Sequence, residues 1–107
     1  MSLAFEIGAR GGVADIRLNG RIDRDAGTVL EDAYTAAVAT EPSAIEVDFT
    51  RVDYINSTGI ALIVGFLARA RAHALPIRAS GLTEHYVHVF EITRLSDFLE
   101  IVEPTKA

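Results

Sequence analysis

The sequence predicts an α/β domain in which a mixed sheet of four to five strands carries its helices mainly on one face. Apolar residues recur first at strand-like and then at helix-like spacing along the chain. A glycine-containing turn joins the first two predicted strands, which is typical of a hairpin. The predicted strand 43–49 alternates polar residues with apolar ones, so that one face of the sheet is polar. The apolar side chains of this strand, on the other face, are Ile45, Val47 and Phe49.

The predicted elements follow one another in the order β-β-α-β-α-β-α-β. We expect the strands at 3–8, 13–18, 43–49, 76–80 and 98–102. Asp23 or Asp25 can cap the first helix, which ends before Pro42. The second helix covers 57–73, and Thr83 caps the third. Strand–helix–strand connections predict parallel strands with right-handed crossovers, and the initial hairpin adds an antiparallel edge.

The second helix has two apolar stripes, and its periodicity alone assigns one of them to the core. A rotation of about 100° per residue groups an inner stripe of Ile60, Ile63, Val64 and Leu67. The opposite side then carries Leu62, Phe66, Arg69 and His73. If they face solvent, Leu62 and Phe66 beside Arg69 suit a partner contact. Burial under a neighbouring loop or helix is an equally good interpretation of these two side chains.

The composition indicates a single folded domain over residues 1–107 and excludes several functions. The chain has no cysteine, which excludes disulfides, thiolate metal sites and cysteine nucleophiles. Its net charge of −5 disfavours nucleic-acid binding. The apolar run 59–68 is shorter than the about 20 residues that a membrane span needs. Since the chain also opens without a secretory pattern, we expect a cytoplasmic protein with no membrane insertion.

No group of residues in the sequence has the pattern of an active site. Ser57 lacks the Gly-x-Ser-x-Gly context of a nucleophile elbow. His85, His88 and Glu91 have a helical spacing that allows a metal site, but exposed helix positions explain them better. We therefore expect no catalytic residue, no metal and no cofactor.

The segment 56–58 lies where a strand passes into the second predicted helix. Asn56, Ser57 and Thr58 are all residue types that cap helices. A phosphate on a hydroxyl at this point would meet free backbone N–H groups and the positive end of the helix dipole. The segment therefore suits either a plain helix cap or a phosphorylation site.

At this segment the sequence resembles a known family. Residues 56–61, Asn-Ser-Thr-Gly-Ile-Ala, resemble the Asp-Ser-Ser/Thr-Gly-Leu-Gly signature of bacterial anti-anti-sigma factors, which are stand-alone STAS domains. Residues 18–23 are similar to the family's Leu-x-Gly-x-Leu-Asp, 45–49 to its buried strand, and 90–95 to its closing Phe-x-Leu-Thr-Gly-Leu. The resemblance extends over nearly the whole chain and implies the STAS fold.

The resemblance implies that the protein is an anti-sigma factor antagonist in a partner-switching pathway. In this family the unphosphorylated protein binds an anti-sigma factor serine kinase and so frees the sigma factor. Phosphorylation of the serine that corresponds to Ser57 reverses binding, and a PP2C-type phosphatase restores it. The implied motif and partner-binding residues are Asp23, Asn56, Thr58, Gly59, Leu62, Phe66 and Arg69.

Two positions depart from the family pattern, and one of them leaves an alternative open. Asn56 stands where the family usually has aspartate, so it can cap the helix but supplies no carboxylate charge. Arg94 stands where the closing motif usually has glycine. The alternative function is that of a non-phosphorylated STAS accessory subunit, docking on the ATPase of a phospholipid ABC system, or of a stress-signalling scaffold.

Overall fold

A computed structural model describes residues 2–102 as five strands, three α-helices and two 3₁₀ turns. The strands are β1 (Ala4–Arg10), β2 (Val13–Ile22), β3 (Ala44–Ile55), β4 (Ile77–Ser80) and β5 (Glu100–Ile101). The helices are α1 (Gly27–Val38), α2 (Ser57–Ala72) and α3 (Glu84–Ile92). The 3₁₀ turns are Arg24–Ala26, ahead of α1, and Leu95–Asp97, ahead of β5.

The strands form one mixed sheet in the order β1-β2-β3-β4-β5. β1 and β2 are antiparallel, whereas the remaining neighbours are parallel. Gly11 and Gly12 connect β1 to β2 with φ angles of 58° and 80°. A two-residue hairpin turn of the primed type needs positive φ at both positions, which glycine adopts without strain. The predicted element order and the antiparallel hairpin edge are confirmed.

The hydrophobic core lies on one face of the sheet, beneath the helices. Ile16 and Val47 of the sheet meet Leu30 of α1 and Leu67 of α2 there. Phe49 also lies on this face, and its ring meets a ring of α3 edge to face. The opposite face of the same strands is polar and carries Asp15, Arg17, Glu46, Asp48 and Arg78. The α/β class with helices on one face is thus confirmed.

β2 and β3 run several residues past their predicted ends at positions 18 and 49. The residues after position 18, which the prediction leaves outside the strand, form a local irregularity inside β2, where the pairing with β3 shifts register. Gly20 has a φ of 119°, and a Cβ there would overlap the backbone carbonyl of Ser2. Glycine at this position therefore permits a close backbone approach while the strand continues. Because both strands extend, β3 leads directly into α2, and the end of β2 lies against the first turn of that helix.

The last strand is shorter than predicted. The structure forms only Glu100–Ile101 as β5, and Phe98 instead closes the preceding 3₁₀ turn. Residues 103–107 of the predicted single domain lie outside the described residues. Among the described helices, none has both the length and the apolar character required to cross a membrane.

Candidate functional site

Asn56 is the residue that begins α2, out of the three candidates that the sequence offers. Its backbone is extended, and its side-chain Oδ1 accepts a hydrogen bond from the Gly59 N–H at 2.8 Å. Its backbone carbonyl accepts from the Ile60 N–H at 2.9 Å. Asn56 thus satisfies one of the orphan donors of the helix with its side chain, as an N-cap does.

Gly59 holds the first turn of α2 against the end of β2. The residue is buried, and a Cβ at this position would overlap the carbonyl oxygen of Ile22. The Asn56 N–H donates to the same carbonyl at 3.3 Å. Only glycine allows this approach of helix to strand. Gly59 therefore belongs to the motif through the packing of α2 against β2.

Ser57 and Thr58 occupy the first two positions of α2, and both are exposed. Within residues 2–102 no hydrogen-bond acceptor is assigned to either backbone N–H. The first turn of α2 contains no acidic residue. The hydroxyl of Ser57 therefore stands at the positive end of a sixteen-residue helix, with free backbone donors beside it.

Asp23 lies in the loop next to this helix end. Its Oδ1 accepts from the Asp25 N–H at 3.0 Å and so caps the 3₁₀ turn, which in turn contacts α2. Its Oδ2 lies 3.7 Å from the Arg21 Nε. The guanidinium of Arg21 also covers the Tyr54 ring, 4.2 Å from its centroid. Asp23 therefore has the capping role that the sequence predicts, at the turn ahead of α1.

Leu62, Phe66 and Arg69 line a groove between α1 and α2, and for Leu62 and Phe66 the structure selects cover by a neighbouring helix, one of the two interpretations that the sequence leaves open. Leu62 and Phe66 are half-buried and pack against the core. The Phe66 ring meets the buried Tyr34 ring edge to face, with centroids 5.4 Å apart. The Arg69 guanidinium covers the same ring at 4.4 Å. The reason is tertiary, because α1 packs against the side of α2 that lies opposite the predicted inner stripe.

Tyr34 organises this side of α2 and is not among the site residues predicted from the sequence. Its hydroxyl lies 3.0 Å from the Nδ1 of His73, at the far end of α2. The spacing in the sequence indicates that Tyr34 lies on the buried face of α1, since it follows the core residue Leu30 by four positions on the same helix. The aromatic ring and its hydroxyl thus join α1 to α2 over more than one helical turn.

On the opposite flank of α2, one side chain of the predicted inner stripe is exposed. Val64 was predicted to be buried, but 45% of it is exposed. Phe98, from the turn ahead of β5, is 49% exposed nearby, and Arg71 covers its ring at 5.2 Å. Ile63 and Leu67 remain buried as predicted, and Ile60 is half-buried. An open apolar surface therefore lies beside α2 where the sequence predicts core.

Comparisons with known proteins agree with this architecture. Residues 5–103 match the family model described as "Mlab, STAS domain". An anti-sigma-B factor antagonist of Listeria monocytogenes is 32% identical over 87 residues, covering 81% of this chain and 76% of that protein. The chain therefore belongs to the STAS domain family.

Solved structures show the same fold at low sequence identity. The unphosphorylated anti-sigma factor antagonist SpoIIAA superposes with a TM-score of 0.69 at 20% identity, covering 95% of this chain and 90% of that one. SpoIIAA of Bacillus in its phosphorylated form gives 0.66 at 20% identity, over 94% and 92% of the two chains. An anti-sigma factor antagonist of Mycobacterium paratuberculosis gives 0.75 at 19% identity, over 95% and 86%.

Proposed function

We propose that this protein is an anti-sigma factor antagonist that works by partner switching, with Ser57 as the phosphoacceptor. The observation that carries the proposal is the exposed hydroxyl of Ser57 at the first position of the capped helix α2. The Listeria monocytogenes relative bears the name of an anti-sigma-B factor antagonist, and SpoIIAA has been solved in a phosphorylated form. The proposed partners are an anti-sigma factor serine kinase and a PP2C-type phosphatase.

The unphosphorylated protein binds the anti-sigma factor through the surface around the start of α2. Ser57 and Thr58 are exposed there, and Asp23 lies in the adjoining loop. A phosphate on Ser57 adds a charge of about −1.5 to −2 at the centre of this surface. In a docked complex such a charge has to be desolvated or paired, which weakens binding and releases the partner.

The neutral side chain of Asn56 matters for this mechanism. Its Oδ1 keeps the helix capped in the same way that a carboxylate would. It adds no negative charge beside Ser57, so the helix end is more favourable for a phosphate than it would be with aspartate. Phosphorylated Ser57 is accordingly held by free backbone donors without repulsion from residue 56.

Incubation with the cognate kinase and ATP, followed by mass spectrometry of the intact protein, tests the phosphoacceptor. We expect a gain of one phosphate that is lost in Ser57→Ala. Thr58→Ala is the matched control, because Thr58 is the neighbouring exposed hydroxyl on the same turn. Absence of phosphate from the wild-type protein, with a kinase that is active on its own control substrate, contradicts the phosphorylation step.

Binding measurements test the switch separately from the kinase reaction. Ser57→Asp places a negative charge at the acceptor position and is expected to weaken binding to the anti-sigma factor at least about tenfold. Ser57→Asn is the neutral control of equal size and should bind nearly as well as the wild type. Equal affinity of the Asp and Asn variants would contradict a charge-based switch.

Asn56 also favours a second candidate, the non-phosphorylated accessory subunit that docks on a transport ATPase. In that case the helix end is a constant docking surface, and residue 56 needs only to cap α2. Capture experiments with the two purified partner classes separate these functions. Binding to the transport ATPase that is insensitive to Ser57→Asp, with no binding to an anti-sigma factor, would favour the second candidate.

A further inference from the structure

β1 is a long edge strand with an open side. It has seven residues and pairs, among the described strands, with β2 alone. It contains no proline and no lysine, the residues that most often protect such edges from pairing with another chain. Its free edge is therefore a template for one more strand.

The hairpin turn determines which backbone groups of β1 point to that free edge. Gly11 and Gly12 form a two-residue turn, so Arg10 and Val13 are a hydrogen-bonded pair. Hydrogen-bonded and non-hydrogen-bonded pairs alternate along an antiparallel ladder. The backbone N–H and C=O groups of every second residue of β1 therefore bond to β2. Those of Phe5, Ile7 and Ala9 point to the free edge.

On the polar face of the sheet, the charges of β1 are complementary to those of a second, antiparallel copy of β1. Glu6 and Arg10 lie on this face, two positions either side of Gly8. The Nε of Arg10 lies 3.4 Å from the Asp15 Oδ2 of the same chain, but its side chain is largely exposed and its two terminal nitrogens can face a partner. When a second copy pairs antiparallel with Gly8 opposite Gly8, Glu6 of each copy faces Arg10 of the other. Registers centred on Glu6 or on Arg10 place like charges opposite each other, which destabilises a sheet.

Gly8 has no evident role within a single chain. Its φ is not among the positive values, and an added Cβ would meet only the Asp15 Cβ at 3.9 Å, an ordinary contact. In the self-paired arrangement it lies at the two-fold axis in a non-hydrogen-bonded pair, where side chains approach most closely. A glycine there lets the two strands meet without opposing identical side chains.

We propose that two copies of this chain pair through β1, antiparallel and centred on Gly8, so that one sheet continues across a two-fold axis. The backbone groups of Ile7 and Ala9 form the new ladder, and two Glu6–Arg10 pairs fix its register. The interface is isologous, as in most symmetric dimers. This inference does not depend on the proposed function.

Sedimentation equilibrium of the full chain over a concentration series tests the proposal. The wild type is expected to dimerise, and Arg10→Glu to weaken the dimer about tenfold, because each Glu6 then faces a glutamate. The double variant Glu6→Arg with Arg10→Glu exchanges the two charges between the copies and should dimerise more strongly than Arg10→Glu alone. Recovery is expected to be partial, because within each chain the new arginine lies opposite Arg17 and the new glutamate lies beside Asp15. Gly8→Lys opposes two like charges at the axis and should weaken the dimer.

Two further variants test whether the free edge of β1 forms the dimer interface. Ala9→Pro removes one outward N–H without touching the β1–β2 ladder and should weaken the dimer. Arg78→Glu reverses a charge on the same polar face at β4, away from β1, and should leave it unchanged. Thermal unfolding by circular dichroism confirms that each variant is folded. A wild type that stays monomeric, a dimer that resists both Arg10→Glu and Ala9→Pro, or a folded double variant that dimerises no better than Arg10→Glu alone would overturn the proposal.

Discussion

On the flank of α2 that faces α1, Phe66 and Arg69 enclose the buried ring of Tyr34, whereas on the opposite flank Val64 is open to solvent. Both flanks carry an apolar side chain, an aromatic ring and an arginine over that ring. The difference is that Tyr34 belongs to a helix packed against α2, while Phe98 belongs to a short turn and stays half-exposed. Similar residue types therefore form core on one flank and surface on the other.

The largest difference between the flanks in the loss of free energy of unfolding is expected when their aromatic rings are removed. Tyr34→Ala removes a buried ring, its edge-to-face contact with Phe66 and the hydroxyl beside His73, and should lower the free energy of unfolding by about 3–5 kcal/mol. Phe98→Ala on the open flank should cost less than about 1 kcal/mol. Urea denaturation followed by circular dichroism measures both. Equal losses would show that Phe98 is as much part of the core as Tyr34.

A smaller difference is expected for the aliphatic residues. Leu62→Ala removes half-buried carbon atoms against α1 and should cost about 1–2 kcal/mol. Val64→Ala should change stability by less than about 0.5 kcal/mol, because Val64 is exposed and alanine is the better helix former. The same denaturation experiment distinguishes them. A larger cost for Val64→Ala than for Leu62→Ala would reverse the assignment of the two stripes.

The smallest difference is expected for the arginines. Both lie in the last turn of α2, so their interactions with the helix dipole are similar and cancel in the comparison. Arg69→Gln removes a cation from a buried ring and should cost about 0.5–1 kcal/mol, with less for Arg71→Gln over the exposed Phe98 ring. Thermal melts of the two variants, measured side by side, test this order. A lower melting temperature for Arg71→Gln would contradict it.

The sequence predicts the element order and the start of α2 well because both depend on local chemistry. Asn56, Ser57 and Thr58 were identified as the start of α2 from their capping tendency, and the structure selects Asn56. Val64 was assigned to the core incorrectly, and the cover of Leu62 was left open, because helical periodicity defines stripes but not which neighbour covers them. Leu62 is covered by α1 and Val64 is not, and this depends on tertiary packing.

Strand lengths could not be predicted for a similar reason. Asn19 and Gly20 have the composition of a turn, yet β2 continues through them to Ile22. The parallel partner β3 and the close approach of Ser2 stabilise this irregular stretch. The contact between Ile22 and Gly59 exists only because both strands extend, so no local pattern reveals why position 59 must be glycine.

Because Gly59 contacts Ile22, packing and surface exposure fall on different residues of one short motif. Gly59 anchors the helix to the sheet, while Ser57, two positions earlier, is exposed and free of packing. A chemical change at Ser57 therefore alters the surface and leaves the scaffold in place. In the proposed switch no segment has to refold between the two states, so association with the proposed partner is expected to be limited by encounter and by charge, and not by a slow rearrangement. Position 57 and position 59 can accordingly vary independently as sequences diverge.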